Sequence, residues 1–140
     1  MEINYKIYTD GSCRINRNGG VGIVWLKNDE KVFEYSKGYK NTTNNKMELL
    51  AIYLALKTVT KEIDSLEIIS DSQYAIGVLT NEKWNPKKNV AMINTIKKQI
   101  VETQKLVKSP IKWIHTNGHS DNKWNNLADK LATNASSMIL

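Results

Sequence analysis

Four carboxylates stand where an ordinary soluble chain gains little from them. Asp10 and Asp71 each follow a predicted strand, Glu48 precedes the apolar run Leu49-Leu50-Ala51-Ile52, and Asp129 sits within Leu127-Ala128-Asp129-Lys130-Leu131-Ala132. An ionised carboxylate in apolar surroundings either costs several kcal/mol or takes up a proton, whereas oxygen ligands gathered round a divalent cation turn that penalty into a binding site. Cys13 is the single cysteine, which excludes an internal disulfide and a thiolate cluster, so any metal would have oxygen ligands. Taken singly, each acid has an ordinary use: Asp10 before Gly11 suits a turn, Asp71 before Ser72 a helix cap, Glu48 a first-turn acid facing the helix dipole, and Asp129 a surface neighbour of Lys130. Their joint occurrence at strand ends and helix starts is the stronger signal. His119 lies ten residues before Asp129 in the polar stretch Thr116-Asn117-Gly118-His119-Ser120-Asp121-Asn122. A loop histidine is usually just solvated, but an imidazole beside a metal–carboxylate centre can shuttle protons. His115, at the end of the last predicted strand, is read as structural.

The elements that must position these residues are legible in the apolar pattern. Ile3 to Thr9 alternates and runs into Asp10-Gly11-Ser12, predicting a strand that ends in a turn. Gly20 to Lys27 and Lys31 to Lys40 flank Asn28-Asp29-Glu30 and predict an antiparallel hairpin. Thr42-Thr43-Asn44-Asn45 offers caps for a buried helix over Met47 to Val59, and Ser65 to Ser70 reads as a strand covered on both faces. A short helix follows over Ser72 to Leu79, then a polar loop around Trp84-Asn85-Pro86 and a helix over Val90 to Val107 with a lysine-rich outer face. Pro110 to His115 and Asn125 to Ala135 complete the order βββαβααβα. That order predicts a three-layer α/β domain, a mixed five-stranded sheet flanked by helices.

Length and composition set the outer bounds. The 140 residues, 41% hydrophobic and 24% charged, fit a single domain over residues 1–140 with no linker or repeat. The longest apolar run, Leu49 to Leu56, is too short to span a bilayer and the N-terminus has no signal layout, so no membrane association is expected and the chain is read as cytoplasmic. Size alone suggests a monomer, and Met1 with compact termini a free-standing protein. The net charge is +6, of which about +7 falls between Lys83 and Lys112 and about −1 on the rest. This asymmetry fits a polyanionic partner as readily as a solvated lysine-rich helix face.

These residues resemble type 1 ribonuclease H, through ordered motifs from about Tyr5 to Ala132. The family's acids fall in Tyr8-Thr9-Asp10-Gly11-Ser12-Cys13, in Thr42-Thr43-Asn44-Asn45-Lys46-Met47-Glu48-Leu49, in Ser70-Asp71-Ser72-Gln73-Tyr74 and in Leu127-Ala128-Asp129-Lys130-Leu131-Ala132, with the loop histidine at Gly118-His119. Four motifs in sequence are far more specific than any one. The resemblance implies the ribonuclease H fold and an endonuclease that hydrolyses the RNA strand of an RNA/DNA hybrid, leaving 3′-hydroxyl and 5′-phosphate ends, with two Mg²⁺ ions or Mn²⁺ as substitute. It implies Asp10 as bridging ligand, Glu48 as a ligand that also accepts from a ribose 2′-hydroxyl, Asp71 and Asp129 as completing ligands, and His119 in proton transfer and product release. It implies that Gly11 and Ser12 let the backbone approach the minor groove, that Cys13, Asn16, Asn44, Asn45 and Gln73 contact bases and sugars, and that Thr43 contacts a DNA phosphate. Without the resemblance, Cys13 reads as a small buried hydrophobe and the two asparagines as helix caps.

The chain departs from the family in two places. Thr80 to Asn89 is too short for the extended basic segment of many bacterial members, so Lys83, Trp84, Lys87 and Lys88 form at most a reduced version, with Trp84 on a sugar or packed in the core. In this it resembles retroviral domains and compact archaeal or phage-type members, some of which bind through a fused or partner domain. The first loop, Arg14 to Gly20, is also altered. Two other readings compete: a DNA-strand nuclease of the same superfamily predicts different motifs around the acids, and a non-catalytic nucleic-acid-binding module predicts a lost carboxylate.

Overall fold

The computed structural model describes residues 1–117 and 122–138. In it β1 (Asn4–Cys13), β2 (Gly19–Lys27) and β3 (Glu30–Tyr39) form an antiparallel meander, and α1 (Asn44–Lys57) crosses over to β4 (Ser65–Ser70). Helices α2 (Gln73–Thr80) and α3 (Val90–Gln104) lead to β5 (Lys112–His115), and α4 (Lys123–Ser137) closes the chain. The described strands make a five-stranded sheet in the order β3-β2-β1-β4-β5. Strand β1 pairs antiparallel with β2 and parallel with β4, and β5 extends the parallel half. The mixed sheet expected from the order of elements is therefore present, with β1 at its centre.

Burial explains the arrangement. Strand β2 is buried from Gly19 to Leu26, as befits a strand covered on both faces, while the edge strand β3 is largely exposed. On one face Ile7, Ile23, Leu49, Ile52, Leu56 and Ile68 are fully buried in a core shared by the sheet, α1, α2 and α3. Each such side chain contributes roughly 1.5–3 kcal/mol. On the other face Tyr8, Val24, Leu26 and Ile69 meet Ala128 of α4 in a smaller core. The β2–β3 connection needs a left-handed backbone, which Asn28 (φ 50°) and Asp29 (φ 69°) supply, so the hairpin follows the turn chemistry of its polar pair. No helix among the described residues is long and apolar enough to cross a membrane.

Several boundaries differ from expectation for physical reasons. Strand β1 does not end at Thr9, because β2 keeps pairing with it as far as Cys13↔Gly19 after β4 has left at Thr9↔Ser70. Asp10-Gly11 is thus strand, not turn. Helix α1 starts at Asn44, three residues before the apolar pattern does, because Thr43 caps it: Thr43 Oγ1 accepts from the Lys46 amide at 3.2 Å. Ser72 caps α2 in the same way, accepting from Ala75 N at 3.0 Å, so that helix begins at Gln73.

Candidate active site

The parallel pair β1 and β4 brings the first two carboxylates together. Thr9↔Ser70 is their last register pair, and the residues that follow are Asp10 and Asp71. Glu48 joins them from α1, so that one carboxylate oxygen from each of Asp10, Glu48 and Asp71 lies within 4.8 Å of the others. Gly11 makes this approach geometrically available. A Cβ there would stand 2.3 Å from Glu48 N and 2.4 Å from the Met47 carbonyl carbon, so the helix rests on bare backbone. The Gly11 amide donates to Glu48 Oε1 and, at 2.9 Å, to Asp10 Oδ1. Packing against α1 is therefore by itself a reason for a glycine at this position.

Asp129 arrives from the opposite face. Gly22 is the register partner of Asp10, and a Cβ on it would stand 2.1 Å from the Ala128 carbonyl oxygen. Helix α4 can therefore lie close against β2 and set Asp129 near enough to Asp10 to add to the raised proton affinity of its carboxyl. Asp129 is exposed and stands outside the tight group of three, bordering it through Asp10. His119 lies outside the described residues. His115 ends β5, exposed, with Nε2 3.2 Å from the Asp71 carbonyl oxygen.

The electrostatics oppose holding these carboxylates as free anions. Asp10 is 4% exposed and Glu48 7%. Burial, followed by the charge of Glu48 and its hydrogen bond, holds the Asp10 carboxyl well above the usual range. Burial likewise raises Glu48, with the Asp71 charge adding to it while hydrogen bonds from Asp10 and Gly11 pull it back. Among the described residues no ion pair reaches the cluster: Lys6–Asp29, Lys31–Glu34, Lys105–Glu102 and Lys108–Asp64 all lie elsewhere. Buried carboxylates without a cationic side chain must share protons or hold a cation, and an all-oxygen donor set suits a hard divalent ion. The ordinary uses of these acids fall away as well. Glu48 is the fifth residue of α1, past its first turn, and Ser72, not Asp71, caps α2.

The remaining predicted contacts distribute around this cluster. Ser12 and Cys13 continue β1 beyond Asp10. Cys13 is half-buried rather than core, its Sγ 3.4 Å from the Thr42 carbonyl oxygen. Asn16 is exposed in the β1–β2 connection, where its Oδ1 accepts from Asn18 N at 3.0 Å. Asn44 and Asn45 are exposed in the first turn of α1 and Gln73 at the first position of α2, so none of the three is a cap. Trp84 is 39% exposed, so it is not a core residue. Its ring lies on Gly77, where a Cβ would stand 2.4 Å from Cζ3, and edge-on to Tyr74 at a centroid distance of 6.1 Å. Trp84, Lys87 and Lys88 line a groove of about 320 Å³ whose wall includes Asn45 and Tyr74. Tyr74 was missed by sequence reasoning, although an aromatic three residues after Asp71 was the available signal.

Comparison with known proteins agrees with this geometry. The family profile described as RNase H matches residues 2–137. A protein named Ribonuclease H from Clostridium botulinum is 43% identical over 141 residues, spanning 92% of this chain and 93% of its own. One of the same name from Acetivibrio thermocellus is also 43% identical, with 91% of each chain covered. Among solved structures, RNase H1 from the halophilic archaeon Halobacterium salinarum NRC-1 matches with a TM-score of 0.77 over 97% of this chain and 99% of that one. At 24% identity that likeness bears on the fold alone.

Proposed function

The chain belongs to the ribonuclease H family and is a metal-dependent endoribonuclease acting on RNA/DNA hybrids, and from this premise we propose how its own residues share the work. The observation that carries the reading is the convergence of Asp10, Glu48 and Asp71 within 4.8 Å, the first two of them buried, with Asp129 near Asp10. Asp10, central to the group, would hold two Mg²⁺ ions together with Glu48, Asp71 and Asp129, and Mn²⁺ would substitute for them. Bound there, the two cations supply activation of the attacking water, neutralisation of charge on the scissile phosphate and stabilisation of the leaving 3′-oxygen. The RNA strand is cut to leave 3′-hydroxyl and 5′-phosphate ends.

Discrimination of RNA from DNA requires a group that reads the 2′-hydroxyl. Glu48, where α1 meets β1, accepts from it. Cys13, Asn16, Asn44, Asn45 and Gln73 meet bases and sugars along the minor groove, which Gly11 and Ser12 let the backbone approach. Thr43 keeps a hydroxyl hydrogen to donate to a DNA phosphate while its oxygen caps α1. Trp84 packs on a sugar and Lys87 and Lys88 take phosphates in the groove they share. His119 transfers a proton to the leaving oxygen and assists product release. The protein works as one domain over residues 1–140, as a cytoplasmic monomer, with an accessory domain or protein adding hybrid affinity where the short Thr80 to Asn89 segment gives little.

The deciding experiment is cleavage of an end-labelled RNA/DNA hybrid with Mg²⁺, Mn²⁺ or EDTA, beside single-stranded RNA, duplex RNA and duplex DNA. Hybrid-only, metal-dependent cutting that disappears in Asp10→Asn is the expected result. Cutting retained by Asp10→Asn would remove Asp10 from the centre, and hybrid bound but uncut by the unmodified protein would leave a binding module.

A further inference from the structure

We propose that the hydrogen bond between Asn122 and Tyr8 is a positioning device that sets Asp129 against Asp10. Asn122 Nδ2 donates to the Tyr8 hydroxyl at 3.1 Å. Tyr8 is 7% exposed, in the small core beneath α4, where a phenylalanine would fill the same space; what the hydroxyl adds is this bond. Asn122 at the same time caps α4, its Oδ1 accepting from Trp124 N at 2.9 Å and Asn125 N at 3.3 Å. One side chain thus joins the first turn of α4 to β1.

The placement of the two ends gives the bond its consequence. Tyr8 and Asp10 are two residues apart on β1 and point to the same face, roughly 7 Å apart along the strand. Asn122 precedes Asp129 by two helical turns, roughly 10 Å along α4. Two points on the strand therefore face two points on the helix. Between them Gly20 and Gly22 of β2 lie against the backbone of Ala128 and Ala132, and Trp124, Leu127 and Leu131 pack on the small core around Tyr8, contacts that are non-directional and set the position of α4 along its axis less sharply than a hydrogen bond does. Ser36 Oγ holds the far side of α4 through the Leu131 carbonyl at 2.8 Å, but from the edge strand β3. The Tyr8–Asn122 bond ties the helix to the strand that carries Asp10. A displacement of about 1 Å in a reacting centre costs up to two orders of magnitude in rate. Tyr8 and Asn122 act through Asp129, so the proposal rests on the reading of Asp129 as a metal-holding residue.

Two variants separate the bond from the cap. Tyr8→Phe removes only the hydroxyl, and Asn122→Ser keeps a strong cap while its side chain is too short to reach Tyr8. Steady-state hybrid cleavage at 25 °C across a Mg²⁺ titration is expected to show, for each, a raised half-saturating Mg²⁺ concentration and a kcat lowered about threefold to tenfold, with KM for the hybrid unchanged. Tyr8→Phe is expected to add no further loss on the Asn122→Ser background, because the bond it removes is already absent there. Wild-type kcat and metal dependence in Tyr8→Phe would overturn the proposal even if its melting temperature falls, since the bond would then be merely structural, and so would losses that add in the double variant. Asp129→Asn runs in parallel. Its unchanged metal dependence would overturn the reading of Asp129 and this proposal with it, whereas a raised requirement in Asp129→Asn beside an unchanged Tyr8→Phe overturns the positioning role alone.

Discussion

Asp10 shows how a residue read as a turn signal becomes, in its surroundings, a buried carboxylate that must share a proton or hold a cation. The types and order of the four acids were readable because a buried carboxylate has few uses, but their convergence was not, since it depends on which strand runs beside which. Gly11 illustrates the limit: its smallness was visible, while the neighbour it accommodates, Glu48, lies 37 residues away. The raised proton affinities of Asp10 and Glu48 have a definite sign. The folded protein keeps protons that the unfolded chain releases near pH 4, so their contribution to stability is complete below that point and is lost as pH rises through the raised folded values. The metal-free protein is accordingly expected to lose melting temperature as pH rises from about 4 toward neutrality, and Mg²⁺ to restore it. Asp10→Asn removes the most constrained charge at nearly constant shape. Thermal melts should find this variant several degrees more stable than wild type at pH 7 without metal, less responsive to pH and to Mg²⁺, and inactive; a lower metal-free melting temperature would mean that the carboxylate is satisfied by something other than a cation.

At the scale of elements, the apolar periodicity located every helix and strand, and the errors fell at ends set by polar chemistry. The start of α1 at Asn44 and of α2 at Gln73 are decided by the hydroxyls of Thr43 and Ser72, which an apolar pattern does not record. The extension of β1 to Cys13 is decided by its partner β2. The packing of α4 is encoded still less openly, as an Ala128, Ala132, Ala135 stripe that lies against Gly20 and Gly22 and, through Ala128, on the small core around Tyr8. This contact couples stability to the site. Gly22→Ala places a methyl group 2.1 Å from the Ala128 carbonyl oxygen, a backbone atom that cannot swing aside. Helix α4 must retreat from β2, at a cost of roughly 1–3 kcal/mol, and carry Asp129 away from Asp10. Chemical denaturation should show that loss, and cleavage at saturating hybrid should fall more than tenfold even where the variant remains fully folded. A folded Gly22→Ala enzyme with wild-type turnover would show that Asp129 does not depend on this contact.

The whole molecule redistributes the charge that looks like one block in the sequence. Lys83 to Lys112 carries about +7, yet α3 runs some 22 Å through the middle of it and separates its ends. Lys87 and Lys88 lie before α3, in the groove that reaches Asn45 near the carboxylates. Lys105 and Lys108 lie after it, paired at 3.1 Å with Glu102 and at 3.5 Å with Asp64, the residue just before β4 and so at the opposite end of that strand from Asp71. A hybrid seated on the cluster is therefore expected to meet the first pair of lysines and not the second. Each phosphate contact contributes about 0.9 to the slope of log affinity against log salt. Hybrid binding titrated from low to moderate salt, with Asp10→Asn as the background to prevent cleavage, should lose nearly two units of slope when Lys87 and Lys88 are both changed to alanine. The matched pair Lys105→Ala and Lys108→Ala removes the same formal charge and should leave the slope as it was. Equal losses from both pairs would mean that net charge, not the groove beside Trp84, draws the hybrid to this protein.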